Sequence, residues 1–214
     1  MNPQKRETLK RLLEDRVVIV ARGLPPEVLL KIGEALVTGG LGCLEITLDS
    51  PDGVRTIERL TRTFGDRLVV GAGTVLDEKA GRAAVDGGAR FLVSPGRIPG
   101  ARGLGGDGAT VLIPGAFTPR EILDAVHEGA DLVKVFPISL GGPRYLAELR
   151  GPLPHIHLMV TGGVTPESAL EYLRRGAAIV GIGRAVLEDQ AIARGDFVAI
   201  TERAAALRRS LAGV

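Results

Sequence analysis

Lys134 is the residue of this chain with the clearest chemical potential. It lies in Asp131-Leu132-Val133-Lys134-Val135-Phe136-Pro137, a strand pattern that is otherwise apolar. The chain carries 22 Arg and only 5 Lys. The other four, Lys5, Lys10, Lys31 and Lys79, fall on helical patterns where a solvated face is expected. A lysine inside a strand can shed its proton and attack a carbonyl, whereas arginine keeps its charge. The plainer alternatives are a side chain reaching to solvent or a structural ion pair. Glu45 is the second such residue. In Cys43-Leu44-Glu45-Ile46-Thr47-Leu48 the alternation puts Leu44, Ile46 and Leu48 on one face and Cys43, Glu45 and Thr47 on the other. A carboxylate on an inward face needs a partner. It can move protons for a reaction or close a structural ion pair.

Two glycine-rich turns form the third signal. Thr161-Gly162-Gly163 precedes a capped helix, and Gly181-Ile182-Gly183-Arg184 follows the last strand pattern. Backbone N–H groups in such turns, together with a helix N-terminus, bind phosphate. Tight turns use the same residues without any ligand. His127, His155 and His157 form no metal constellation, and Cys43 is the one cysteine, so neither a metal nor a cofactor is expected.

The elements that must position these groups repeat. Thr38-Gly39-Gly40, Asp86-Gly87-Gly88, Glu128-Gly129 and Arg175-Gly176 each end a helical pattern just before a short apolar run. Eight strand patterns lie near 17–21, 43–47, 68–71, 91–94, 110–113, 132–136, 157–160 and 178–181. Thr118-Pro119-Arg120-Glu121 and Thr165-Pro166-Glu167 start helices between them, with weaker starts at Pro25-Pro26-Glu27 and Pro51-Asp52. Residues 96–109 hold six glycines, so a short or irregular connection is expected there. Asn2-Pro3 opens an additional helix ahead of the first strand. The pattern specifies an α/β chain, a (β/α)8 TIM barrel with an extra N-terminal helix, as one domain over 1–214. An open doubly wound sheet is the alternative. The barrel is preferred because polar groups end many strands along the whole chain. The residues at the strand ends are Arg22, Glu45, Thr74, Pro95, Pro114, Lys134, Thr161 and Arg184 with its glycines, and five of them besides Lys134 carry charge or a hydroxyl.

Composition narrows the function further. The chain has 214 residues, 45% hydrophobic and 24% charged, with 27 basic against 25 acidic side chains. That is a folded, charge-balanced chain, with no signature of nucleic-acid binding. Aromatics make up 3% and Trp is absent, which argues against base stacking. No apolar run is long enough to cross a bilayer, and residues 1–16 resemble no targeting segment, so a cytoplasmic location is expected.

Seven segments carry a specific resemblance: Leu44-Glu45-Ile46-Thr47-Leu48, Gly71-Ala72-Gly73-Thr74-Val75, Val93-Ser94-Pro95, Ile113-Pro114-Gly115, Val133-Lys134-Val135-Phe136-Pro137, Val160-Thr161-Gly162-Gly163-Val164 and Gly181-Ile182-Gly183. In this order, spread over nearly the whole chain, they resemble the 2-keto-3-deoxy-6-phosphogluconate and 4-hydroxy-2-oxoglutarate aldolases. The resemblance implies a metal-free (β/α)8 barrel, a homotrimer and a keto-sugar acid as small-molecule substrate. It implies a Schiff-base lysine at Lys134 and a proton-transferring carboxylate at Glu45. It places substrate contacts at Thr74, Pro95, Phe136 and Thr161, and a phosphate site at Gly162, Gly163, Gly181 and Gly183.

The chain departs from the pattern at two positions. Some members carry Arg where this chain has Asp49, to hold the substrate carboxylate. Relatives with a small residue or Asn there tend to carry Arg at the end of the first strand, so the carboxylate contact is assigned to Arg22. Arg184 stands where many members have Ser, and it either adds a phosphate contact or turns to solvent. Two other functions compete. A phosphosugar epimerase or isomerase on the same barrel would use Lys134 and Glu45 as an acid/base pair without an imine. A non-catalytic sugar-phosphate sensor would need a further module, for which 214 residues leave no room.

Overall fold

The structure is a computed structural model and describes residues 1–98, 100–104 and 108–213. Helix α1 (Pro3–Asp15) comes first, its N-terminus capped by the Asn2 side chain, which accepts from Gln4 N at 2.8 Å. Strands and helices then alternate: β1 (Val17–Ala21), α2 (Pro26–Thr38), β2 (Cys43–Thr47), α3 (Gly53–Phe64), β3 (Val69–Gly73), α4 (Glu78–Asp86) and β4 (Phe91–Val93). Beyond a 3-10 turn at Ala101–Gly103 come β5 (Val111–Ile113), β6 (Gly115–Ala116), α5 (Pro119–His127), β7 (Val133–Val135), α6 (Gly142–Arg150), β8 (Leu158–Thr161), α7 (Pro166–Arg174) and β9 (Ile179–Ile182). Helices α8 (Arg184–Leu187), α9 (Asp189–Arg194) and α10 (Phe197–Leu211) complete the chain.

All pairings are parallel, in the order β5-β4-β3-β2-β1-β9-β8-β7-β6. The two ends of that order, β5 and β6, are halves of one strand split at Pro114. Proline has no N–H to give to a ladder, so the regular pairing stops there. β5 pairs with β4 and β6 with β7, and Lys134 N donates to Pro114 O at 2.8 Å across the split. The sheet therefore closes through its own fifth strand, giving eight strands in a TIM-like barrel. The expected strands match within a few residues; the fifth extends past Pro114, where Gly115-Ala116 gives no apolar signal. The expected capping box forms at Thr118 with Glu121, and the expected cap at Thr165 also forms a box, with Ser168. Gly40, Gly88, Gly129 and Gly176 all take positive φ behind their helices. Among its described residues the weak fourth connection holds the 3-10 turn and no α-helix; residues 99 and 105–107 of it lie outside the described residues.

Alternation divides the buried side chains into two layers. Leu44, Ile46, Val70, Ala72, Val133, Val135, Leu158, Val160, Val180 and Ile182 face outwards and pack against the helices. Val18, Cys43, Val69, Phe91, Val93, Val111, Ile113, Leu132, Met159 and Ile179 fill the barrel. Leu12 of α1 joins this inner cluster, so α1 stoppers the N-terminal end. Asp15 ties the stopper down, accepting from Gly42 N at 3.0 Å and Arg11 Nε at 3.1 Å. Lys5 departs from the expected solvated face: its ammonium lies 2.8 Å from Asp131, and only 16% of its side chain is exposed. The interior is thus apolar below and turns polar towards the C-terminal ends, as Cys43 gives way to Glu45 and Thr47, Leu132 to Lys134, and Met159 to Thr161.

Candidate active site

The polar layer sits at the end of the barrel where loops follow strands. Lys134 is buried, 6% exposed, in the middle of β7, beside Gly115 on one neighbouring strand and Met159 on the other. Its Nζ lies 5.0 Å from the centroid of the Phe136 ring, two residues on and on the same face. Glu45 is 1% exposed in β2. Among the described residues neither of its carboxylate oxygens has a hydrogen-bond partner, and the same holds for Thr161 Oγ1. Leaving buried acceptors unpaired costs free energy, typically about 1–3 kcal/mol each. Burial pushes the Glu45 carboxyl above the ordinary value, and Asp49 adds to that, while Lys134 and Arg22 pull it down. The result is a carboxyl that holds its proton more tightly than a solvated one, within the electrostatic reach of an amine.

Two glycines of β3 make room for this layer. A Cβ on Gly73 would overlap the Glu45 carboxylate, and one on Gly71 would overlap the Phe91 ring. Across the barrel, a Cβ on Gly181 would overlap the Thr161 methyl.

Arg22 extends from the end of β1 and is half exposed. Its guanidinium pairs with Asp49 and donates from Nη2 to Thr74 Oγ1 at 3.0 Å. The backbone around it is held as well: Gly23 N donates to Ser50 Oγ at 2.8 Å, and Ser50 Oγ meets Thr47 Oγ1 at 2.9 Å.

A cavity of about 440 Å³ opens here, lined by Arg22, Lys134, Phe136, Thr161, Gly162, Gly163, Gly181, Gly183 and Arg184, together with Val20 and Leu24. Nine of the residues singled out from sequence therefore share one cavity. Gly162 and Gly163 have φ of +99° and +76°, so the turn after β8 requires glycine at both positions. Three residues lie off its wall. Glu45 is buried in the neighbouring strand layer, Thr74 joins through Arg22, and Pro95 lines a second cavity of about 590 Å³ that shares Phe136 with the first. Arg184 borders the cavity, but 88% of its side chain is exposed, 3.8 Å from Asp189. Among the described residues no group of three or more His, Cys, Asp or Glu is placed to hold a metal. No helix among them is long and apolar enough to cross a membrane.

Sequence reasoning missed the Arg22–Asp49 pair and the space that Gly71 and Gly73 provide. Parallel register offered one clue to the pair, since Ala21 lies opposite Ile46 and so sends the next residues into adjacent loops.

A closed β/α barrel with a lysine buried at its C-terminal end is an arrangement that suits a class I aldolase. Residues 9–203 match the family of KDPG and KHG aldolases, and the chain belongs to that family. It is 35% identical over 173 residues to the 2-dehydro-3-deoxy-phosphogluconate aldolase of Pseudomonas aeruginosa, covering 80% of this chain and 78% of that one. It is 34% identical over 172 residues to a probable 2-dehydro-3-deoxy-6-phosphogalactonate aldolase of Rhizobium meliloti, covering 80% and 81%. Among solved structures, the KDPG aldolase of Legionella pneumophila, captured with pyruvate as a covalent carbinolamine, superposes with a TM-score of 0.84 at 32% identity over 94% of this chain and 97% of that one.

Proposed function

We propose that this chain cleaves 2-keto-3-deoxy-6-phosphogluconate, or a close 2-keto-3-deoxy sugar acid, to pyruvate and glyceraldehyde 3-phosphate through an imine on Lys134. One observation carries the reading: a lysine buried in a strand faces a cavity, with a buried, unpartnered carboxyl at Glu45 nearby. The Lys134 amine adds to the C2 carbonyl and water leaves, giving a protonated imine. Glu45 takes the C4 hydroxyl proton as the C3–C4 bond breaks, and the electron pair moves into the imine as an enamine. Glu45 then returns the proton to C3, and hydrolysis of the imine releases pyruvate. A carboxyl with raised proton affinity suits a group that must both take and give a proton.

The groups in and around the cavity suit the two anionic ends of such a substrate. Arg22 and Thr74 receive the carboxylate, with Pro95, Phe136 and Thr161 around the pyruvyl carbons. Backbone N–H groups of the turns at Gly162-Gly163 and Gly181–Gly183 receive the phosphate, and Arg184 reaches it by swinging in from solvent. The relative from P. aeruginosa supports the gluconate epimer and that from R. meliloti the galactonate epimer. Assaying both phosphorylated aldols beside 4-hydroxy-2-oxoglutarate decides the substrate. Reduction with borohydride in the presence of labelled pyruvate tests the imine.

The assembly is a homotrimer working in the cytoplasm. An oligomer is supported by likeness, at a TM-score of 0.78 and 28% identity over 92% of this chain and 74% of the other, to a protein cage designed by fusing symmetric oligomeric domains. Mass measurement in solution tests the number of subunits.

A further inference from the structure

The geometry around Arg22 points to Asp49 as a positioning residue that presents Arg22 to the substrate carboxylate. The inference rests on the reading of Arg22 given above and deepens it. Arginine has many rotamers, so an unrestrained, half-exposed side chain loses conformational freedom when it is ordered on binding. Here that ordering is built into the fold. One terminal nitrogen of the guanidinium pairs with Asp49 and the other donates to Thr74 Oγ1 at 3.0 Å. Three consecutive strand-end loops, after β1, β2 and β3, thus converge on one side chain.

Both partners are held. The turn carrying Asp49 is pinned by Ser50, whose N donates to Thr47 O at 3.0 Å and whose hydroxyl accepts from Gly23 N at 2.8 Å. Ser50 is buried at 5% exposure, so the segment fixes the Arg22 backbone and side chain together. Thr74 sits at φ +56°, a conformation that costs a β-branched residue free energy and that the surrounding structure must impose. That strained backbone presents the hydroxyl to Arg22. The guanidinium has five N–H donors, so two engaged contacts leave others for a substrate carboxylate.

The test is a double-mutant cycle with Arg22→Ala, Asp49→Ala and the combined variant, plus Asp49→Asn, read as KM and kcat on the aldol substrate. Asp49→Ala is expected to raise KM about tenfold with kcat changed far less, since a misplaced contact weakens binding. Asp49→Asn keeps an acceptor and should fall between it and the wild type. On the Arg22→Ala background, Asp49→Ala should change nothing further, because Asp49 acts through Arg22. Independent, additive effects, or a KM at or below wild type in Asp49→Ala and Asp49→Asn, would overturn the positioning role alone. An Arg22→Ala variant with unchanged KM and kcat would overturn both this role and the carboxylate assignment. Melting temperatures of all variants separate loss of the fold from loss of positioning.

Discussion

The carboxylate of Glu45 occupies the space that a side chain at position 73 would fill. A Cβ on Gly73 would overlap Oε1, so the strand next to β2 gives up a side chain to seat the carboxyl. Gly73→Ala should therefore displace Glu45 without touching Lys134. Turnover should fall by about 10²-fold or more, as when one positioned acid/base group is lost. Trapping of pyruvate by borohydride should survive. Equal loss of trapping and turnover would place the effect on Lys134 instead.

Glu45→Gln should slow cleavage by roughly 10²–10⁴-fold, because the amide keeps the shape and loses the proton transfer. Steady-state kcat measures this, and a variant within a few-fold of wild type would make Glu45 structural.

The same substitution has a signed effect on stability. Burial raises the Glu45 carboxyl above an ordinary glutamate, about 4.3, so the folded chain holds a proton that the unfolded chain releases. Wild-type stability therefore falls as pH rises from the unfolded value to the raised folded one. The amide in the Glu45→Gln variant does not titrate. The melting temperature of Glu45→Gln minus that of wild type should be larger at pH 8 than at pH 4. A difference that grows as the pH falls would mean that the carboxylate is stabilised in the fold.

On the proposed reading, variants at the two ends of the substrate differ in selectivity. Arg22→Ala should lower kcat/KM by about 10- to 150-fold for aldols with and without phosphate, the usual range for losing a charge-assisted hydrogen bond. Arg184→Ala should affect only phosphorylated aldols, and by less, since on the proposed reading its exposed side chain only adds to the backbone N–H groups. Kinetics on a phosphorylated and an unphosphorylated aldol check both. Harm confined to the phosphorylated aldol in Arg22→Ala would reverse the substrate in the barrel.

Barrel packing provides a stability test away from the cavity. A Cβ on Gly71 would overlap the fully buried Phe91 ring. Gly71→Ala should cost about 1–3 kcal/mol, as overpacked cores do. Adding Phe91→Leu should restore part of that loss, measured by denaturant unfolding.

What the sequence made legible follows from where its signals are local. Strands such as Val17–Ala21 and Cys43–Thr47 are short, mostly apolar runs set off by charged residues, glycine or proline, so their limits can be read directly. Lys134 and Glu45 stand out because a charge inside an apolar strand is costly without a purpose. The second half of the split strand has no such signal, since Gly115-Ala116 is recognisable only by its pairing with Lys134 and Val135. The Arg22–Asp49 contact joins loops 27 residues apart, and no local pattern encodes it. Gly71 and Gly73 show only that side chains are missing; the ring and the carboxylate that use the space come from other strands.

The measurement that tests the central claim most directly is borohydride reduction of the protein with labelled pyruvate, followed by peptide mapping, in wild type and Lys134→Ala. An imine on Lys134 predicts one label per chain on the peptide carrying that residue, and none in the folded variant. Label on another residue, or label that persists in Lys134→Ala, would contradict the account.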